Sequence, residues 1–387
     1  MNRKIKMGMV GGGVGAFIGE VHRKAAALDG HIDLVCGAFS SNPERSKQTG
    51  KQLNLPDDRV YGSYEEMIEK EKALPEGERM DFVSIVTPNH VHFPPAKMAL
   101  ENGFHVVCDK PMTVNLEEAK ALQKLVDESG LVFGLTHNYT GYPMVKQARD
   151  MVSNGDLGEI RKVVVEYPQG WLATKLEDED NKQASWRTDP AKAGPAGAMG
   201  DIGTHAENLA EYITGLEISE LCADLSRMVD GRMLDDDGNI LLRFGNGAKG
   251  VLHASQISVG EENNLKIFVY GEKGGLEWHQ EEPNTLLVKH LDGPTEVYRT
   301  GVDHGYLSDA ALNHTRLPSG HPEGFIEAFA NIYRNVAFTI SSRLNGEEPS
   351  EMHLDFPTVN DGVRGIAFID SVIKSSESND KWTPFSS

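Results

Sequence analysis

The sequence predicts an α/β plus α+β protein: a doubly wound parallel sheet over residues 1–137, then an α+β domain on a mainly antiparallel sheet over 138–387. Three observations predict it. At 387 residues the chain exceeds one ordinary compact domain of roughly 100–200 residues. Short apolar runs alternate with helix-length segments in the first 137 residues. Beyond 138 the strand candidates lengthen and alternate with polar residues.

The elements follow in order. Ile5–Val10 is an apolar strand ending at a glycine cluster, and Phe17–Leu28 reads as a helix. Ile32–Phe39 is a strand and Ser41–Leu53 a polar helix. Phe82–Val86 leads to a helix over His92–Asn102; His105–Cys108 leads to one over Asn115–Ser129, with Leu116, Ala119, Leu122 and Val126 on its apolar side. Val132–Leu135 closes the series. Apolar strands of this kind, separated by helices, argue for a parallel sheet covered on both faces.

A helix over 143–154 opens the second part. Strand candidates follow at Ile160–Tyr167, Ile240–Phe244, Gly250–Ile257, Leu265–Tyr270, Leu276–Trp278 and Leu286–His290. Turns such as GNGAKG (245–250) and GEKGG (271–275) join them as an antiparallel sheet. Helices are expected at Pro322–Ser341 and Val359–Ser376. Segment 174–200 reads as a long polar loop, a type that often carries function.

Composition excludes several partners. The 39% hydrophobic and 25% charged residues are globular, and the net charge of −20 repels nucleic acid and anionic membranes. Three cysteines without a CxxC pair point to a reducing compartment. MNRKIKMGMV lacks a signal-peptide core, and no apolar run approaches the ~20 residues of a membrane span, so a cytoplasmic location is expected.

Four segments carry chemistry. The first, Gly11-Gly12-Gly13-Val14-Gly15-Ala16, fits G-x-G-x-x-A and leads into Phe17 at a helix start, where unpaired N–H groups suit a pyrophosphate. The acid that usually grips the ribose is missing from the end of the second strand; Ser40, Ser41 and Arg45 stand there instead, so NAD and NADP both stay open. Ordinary turn chemistry is the alternative for the serines. The second is Thr87-Pro88-Asn89-His90-Val91-His92, at a strand's carboxyl end, with Asn89 suited to cap the next helix. No acid or cysteine cluster accompanies its histidines, so a metal is not expected.

The third is Asp109-Lys110-Pro111, where a fixed ammonium could stabilise an alkoxide and the Lys-Pro bond tolerates a cis form. The fourth is SWRTDP (185–190) leading to Asp201-Ile202-Gly203-Thr204-His205. Asp201 and His205 are four apart and would share a helix face, orienting a hydroxyl and accepting its proton. A buried polar pair at a helix start is the alternative.

Together, GGGVGA, TPNHVH, Asp109-Lys110-Pro111, SWRTDP and DIGTH resemble the Gfo/Idh/MocA family, the glucose-fructose oxidoreductase and inositol dehydrogenase group. Weaker echoes at 242–255, 269–278 and 361–376 extend the resemblance over nearly the whole chain. It implies a Rossmann domain, a large open antiparallel sheet, assembly as a homodimer or homotetramer, and a catalytic group of Lys110, Asp201 and His205. The expected cofactor contacts are Gly11, Gly13, Val14, Gly15, Ala16, Phe17, Ser40, Ser41, Arg45, Thr87, Pro88, Asn89, His92, Asp109 and Lys110. Gln169, Trp171, Trp186, Arg187 and His321 join the catalytic group as substrate contacts. The chain departs from the family in Asp109, where Glu is usual, and in a loop after His137 without its usual arginine. Segment 300–324 is an extra loop that either covers the site or is a surface excursion. The activity implied is NAD- or NADP-dependent oxidation of a secondary hydroxyl of a sugar, anhydrosugar or cyclitol. An NAD-recycling glycosidase and a non-catalytic sensor are the alternatives.

Overall fold

The computed structural model describes residues 3–387. Two compact units make up the chain. The first comprises the chain up to Thr113, Glu117–Asn138 and Phe325–Val363; the second comprises Val114–Leu116, Tyr139–Gly324 and Arg364–Ser387.

In the first unit, β1 (Ile5–Gly11), β2 (Ile32–Ala38), β3 (Phe82–Val86), β4 (His105–Cys108) and β5 (Phe133–Leu135) form a parallel sheet in the order β2-β1-β3-β4-β5. Chain order reverses between β1 and β3, so the carboxyl ends of those strands flank the switch point where such sheets bind ligands. The helix Phe325–Leu344 belongs to this unit although it lies far along the chain, beyond the boundary expected at 138. Its Phe329, Tyr333, Val336 and Ile340 join Ile5, Met7 and Met9 of β1 and Val21 and Ala25 of the helix Phe17–Leu28 in one core. A sheet buried on both faces needs that cover. The helix Tyr64–Ala73, absent from the sequence reading, is capped by Ser63 and buries Met67 and Ile68.

The second unit holds β6 (Ile160–Pro168), β7 (Ile218–Ser226), β8 (Asp237–Phe244), β9 (Lys249–Ser255), β10 (Lys266–Gly271), β11 (Gly274–His279), β12 (Thr285–His290), β13 (Glu296–Arg299) and β14 (Thr383–Pro384). They form one sheet in the order β13-β12-β11-β10-β6-β9-β8-β7-β14. All neighbours are antiparallel except β6 and β9, which pair in parallel. Strands β7 and β13 escape the sequence reading: β7 mixes polar and apolar residues without strict alternation, and β13 is short and mostly exposed. Along β8 to β12 alternate side chains, among them Ile240, Leu252, Val165, Ile267 and Trp278, are buried on one face. The helices Pro143–Ser153 and Thr204–Thr214 pack against strands of this sheet.

Segment 174–200 is not one loop: it contains short helical turns at Leu176–Asp178, Lys182–Arg187 and Pro190–Ala193. Asn181 and Asp189 cap the latter two. Segment 300–324 is tied down in its own unit. Glu323 accepts from the backbone N–H of Arg316 (2.6 Å) and Leu317 (2.9 Å), and Asn284 bonds both backbone groups of Glu323.

Candidate active site

At Gly11 and Gly13 the glycine loop in the first unit leaves no room for a side chain. A Cβ on Gly13 would stand 2.7 Å from the Phe39 carbonyl oxygen, and one on Gly11 2.9 Å from Thr87 Cγ2. Gly11 and Gly15 have φ of +85° and +80°, conformations glycine tolerates. Space around Gly15 is open within 4 Å. The helix Phe17–Leu28 begins at Ala16 without a side-chain cap, leaving first-turn N–H groups to an anion; Val14 and Phe17 are exposed beside them. Thr87 Oγ1 is buried next to Gly11 and finds no hydrogen-bond partner among the described residues. A tight cradle with an orphaned hydroxyl fits a dinucleotide pyrophosphate.

The serines at the end of β2 act partly as a turn. Ser40 Oγ accepts from Asn42 N–H at 3.2 Å, while Asn42 Oδ1 caps the next helix through Glu44 and Arg45. Ser41 and Arg45 are exposed. Pro88 is exposed and Asn89 buried. Asn89 does not cap the following helix; it opens a short 3₁₀ turn, and His92 occupies the N-cap position without a side-chain bond. Nor does His92 lie open to a ligand. It is 1% exposed, with Nδ1 2.8 Å from the Pro111 carbonyl oxygen and Nε2 2.9 Å from that of Thr87. His90 is exposed, so the two histidines have separate surroundings.

Asp109 and Lys110 follow β4, and the Lys110–Pro111 bond is cis. Asp109 Oδ1 accepts from the Lys110 N–H and from Thr136 Oγ1, both at 2.9 Å. The shorter acid thus braces the backbone of its own turn. His137 is buried nearby, and burial, then the Lys110 charge, push its pKa down to about 3.

In the second unit, residues 199–203 form a π turn that runs into the helix Thr204–Thr214. Asp201 lies in the π turn and His205 in the first α turn, so the spacing of four crosses a junction of two helix geometries. Such π turns recur at functional sites. The backbone here is held from β8's entry: Asp235 accepts from Gly197 N–H (2.7 Å) and Met199 N–H (2.8 Å) through its carboxylate, and from Ala198 N–H (2.8 Å) through its carbonyl. Burial pushes the Asp235 pKa up against those bonds.

Asp201 Oδ2 accepts from Arg187 Nε at 3.0 Å and from Gln256 Nε2 at 2.8 Å. The buried His205 ring meets Tyr139 edge-on, with centroids 4.8 Å apart. Tyr139 bonds the Tyr167 hydroxyl, which donates to Asn263 Oδ1 at 2.7 Å. Gln169 donates to the same oxygen at 2.7 Å and accepts from Trp171 Nε1 at 3.0 Å. Gln169, Trp171, Trp186 and Arg187, expected as sugar contacts, therefore lie in the network around Asp201 and His205. His321 is exposed and bonds the Pro318 carbonyl within its turn. Gln256, Tyr167 and Asn263 were missed; they reach the site from strand ends and a turn, where sequence spacing carries no signal.

The profile of an oxidoreductase family with an NAD-binding Rossmann fold matches residues 5–154, and the GFO/IDH/MocA C-terminal domain matches 145–277. The chain belongs to the GFO/IDH/MocA oxidoreductase family. Its N-terminal part is thus an NAD-binding Rossmann domain. A crystal structure of an oxidoreductase from Sinorhizobium meliloti is 46% identical, with 98% of this chain and 99% of that chain covered and a TM-score of 0.88. An inositol dehydrogenase homolog from Azotobacter vinelandii, complexed with NADH and myo-inositol, is 33% identical over 100% of this chain and 98% of its own, with a TM-score of 0.91. Levoglucosan dehydrogenase of Pseudarthrobacter phenanthrenivorans is 26% identical, covering 98% of each chain. Among the described residues no helix is long and apolar enough to cross a membrane.

Proposed function

We propose that this GFO/IDH/MocA protein is an NAD-dependent dehydrogenase that oxidises a secondary hydroxyl of a sugar, anhydrosugar or cyclitol. One observation carries the reading most: a buried imidazole, His205, stands one turn after the braced carboxylate of Asp201 in a chain with an NAD-binding domain. Family relatives that bind myo-inositol or act on levoglucosan support the substrate class.

In this reading His205 removes the hydroxyl proton of the reacting carbon. Lys110 donates to the same oxygen and offsets its developing charge. Asp201 accepts from a neighbouring hydroxyl and sets the ring's orientation. The cradle of Gly11, Gly13 and Gly15 would hold the dinucleotide, whose nicotinamide supplies the hydride acceptor when bound. The exposed Ser41 and Arg45 at the end of β2 leave room for a 2′-phosphate, so NADP is the secondary cofactor of the proposal. Three free cysteines, two of them buried, suit the reducing cytoplasm that the proposal assigns.

The test is absorbance at 340 nm with NAD and NADP separately against myo-inositol, levoglucosan, D-xylose and related polyols. Stoichiometric NADH accumulation with one of them is the expected result. Aglycone release from glycosides without net NADH would assign the recycling glycosidase, and saturable sugar binding without either product would assign a sensor.

A further inference from the structure

We propose that Arg187 is a positioning residue that aims the Asp201 carboxylate, rather than a donor to the substrate. The inference rests on the role given to Asp201 above.

Arg187 is the residue that sequence reasoning offers as a hydroxyl donor. Two of its three nitrogens are committed elsewhere. Nε donates to Asp201 Oδ2 at 3.0 Å and Nη1 to Gln183 Oε1 at 2.7 Å. The guanidinium lies over the Trp186 ring, 4.2 Å from its centroid, and 5.7 Å from that of Trp171. A planar cation stacked on one indole and bonded at two nitrogens has little freedom to follow a ligand. Gln256 Nε2 reaches the same Asp201 oxygen at 2.8 Å. Two donors converging on Oδ2 fix the rotation of the carboxylate, and covalent geometry then fixes where Oδ1 points.

The backbone beneath is fixed separately. Asp235 takes the N–H groups of Gly197, Ala198 and Met199, at the entry to the π turn, and a Cβ on Gly197 would stand 2.1 Å from the Asp235 carbonyl oxygen. One acid therefore holds the main chain, while Arg187 and Gln256 hold the side chain that works. The guanidinium also favours the ionised carboxylate, the form that accepts a hydrogen bond from a hydroxyl. Lysine cannot reproduce this, since an ammonium has neither the planar fork nor the stacking face.

The experiment compares wild type, Arg187→Lys and Arg187→Met with myo-inositol and NAD between pH 5.5 and 10, beside crystal structures of wild type and Arg187→Met. Loss of the charge should lower kcat/KM by about 10–100-fold, the fold-change of losing a hydrogen bond to a charged group. The acid limb of the profile should move up in Arg187→Met, because the carboxylate loses its neighbouring cation. Ethylguanidinium should restore part of the rate, and the crystal structure should show the Asp201 carboxylate rotated while the Asp235 bonds persist. A raised KM with unmoved kcat and pH profile would make Arg187 a substrate contact and overturn the proposal. So would an unchanged Asp201 rotamer. If wild type oxidises neither myo-inositol nor any other polyol, the functional reading fails, and the crystal structures alone decide the positioning role.

Discussion

His92 Nδ1 lies 2.8 Å from the carbonyl oxygen of Pro111, and the other ring nitrogen 2.9 Å from that of Thr87. One buried ring ties the loop after β3 to the turn that carries Lys110. Both neighbours are acceptors, so a neutral ring, with one N–H, bonds one of them at a time. Burial lowers the His92 pKa, with the Asp109 charge opposing. His92→Ala removes the one N–H donor these buried carbonyls share, and a loss of about 1–3 kcal/mol is expected. Turnover should fall more than NAD affinity does, because the lysine turn loses its brace while the glycine cradle keeps its geometry. Denaturant unfolding, fluorescence titration with NAD and initial rates check this together; equal losses in rate and affinity would contradict it.

Stability should fall in mild acid. His22 is fully buried, with Nδ1 2.7 Å from the Tyr333 hydroxyl, and burial pushes its pKa down to about 4. His105 Nδ1 accepts from Val132 N–H at 2.8 Å, and burial likewise pushes its pKa down to about 4. Both folded values lie below the unfolded value of about 6.5, so the fold favours the neutral rings. Their contribution is complete above pH 6.5 and is lost as pH falls toward 4, by roughly 3 kcal/mol for each ring. Urea unfolding at pH 7 and pH 4.5 measures the slope, and His105→Asn should flatten it; an unchanged slope would contradict the assignment.

The cofactor cradle makes a sharper demand. Gly13→Ala places a methyl group 2.7 Å from the Phe39 carbonyl oxygen, a backbone atom that cannot swing aside. Overpacking of this kind costs about 1–3 kcal/mol. NAD affinity measured by calorimetry should drop at least tenfold while the second unit's network stays intact. Undiminished affinity would remove the loop from the cofactor site.

The open sheet face bears on assembly. In register across the strands, Leu241 faces Val251, Val251 faces Val164, and Val164 faces Phe268; Leu287 faces Val297 farther along. Leu241 and Val297 are exposed in the single chain. Glu277 stands between Phe268 and Leu287 in this row, paired with Lys289, and charged rows flank the apolar stretches, with Glu166 beside Lys266 on one side and Arg243 beside Lys249 on the other. We propose that a second copy covers it, as an exposed apolar patch requires. Leu241→Asp should shift the mass in light scattering toward the monomer, and an unchanged mass would exclude this face.

Much of this was legible in the sequence, for a physical reason. β1, β3 and β4 are short, largely apolar and end at a glycine cluster, Thr-Pro or Asp-Lys-Pro, so local pattern alone marks each strand and its functional end. What the sequence hides is long-range. The helix Phe325–Leu344 reads as amphipathic, but nothing local says that its apolar stripe covers β1. Arg187 reads as a donor in a polar stretch, and only the fold shows Asp201 beneath it. Gln256, Tyr167 and Asn263 meet through strand pairing and a turn, so no spacing predicts them. The π turn also defeats a count of four, which presumes regular helix geometry.

In the proposed function Lys110 supplies the charge that stabilises the reacting oxygen. The most direct test is the initial rate of NADH formation at 340 nm by wild type and Lys110→Ala, with NAD affinity measured on the same samples. Turnover should fall by about 10²–10³ with NAD affinity little changed. Turnover retained in Lys110→Ala would contradict it.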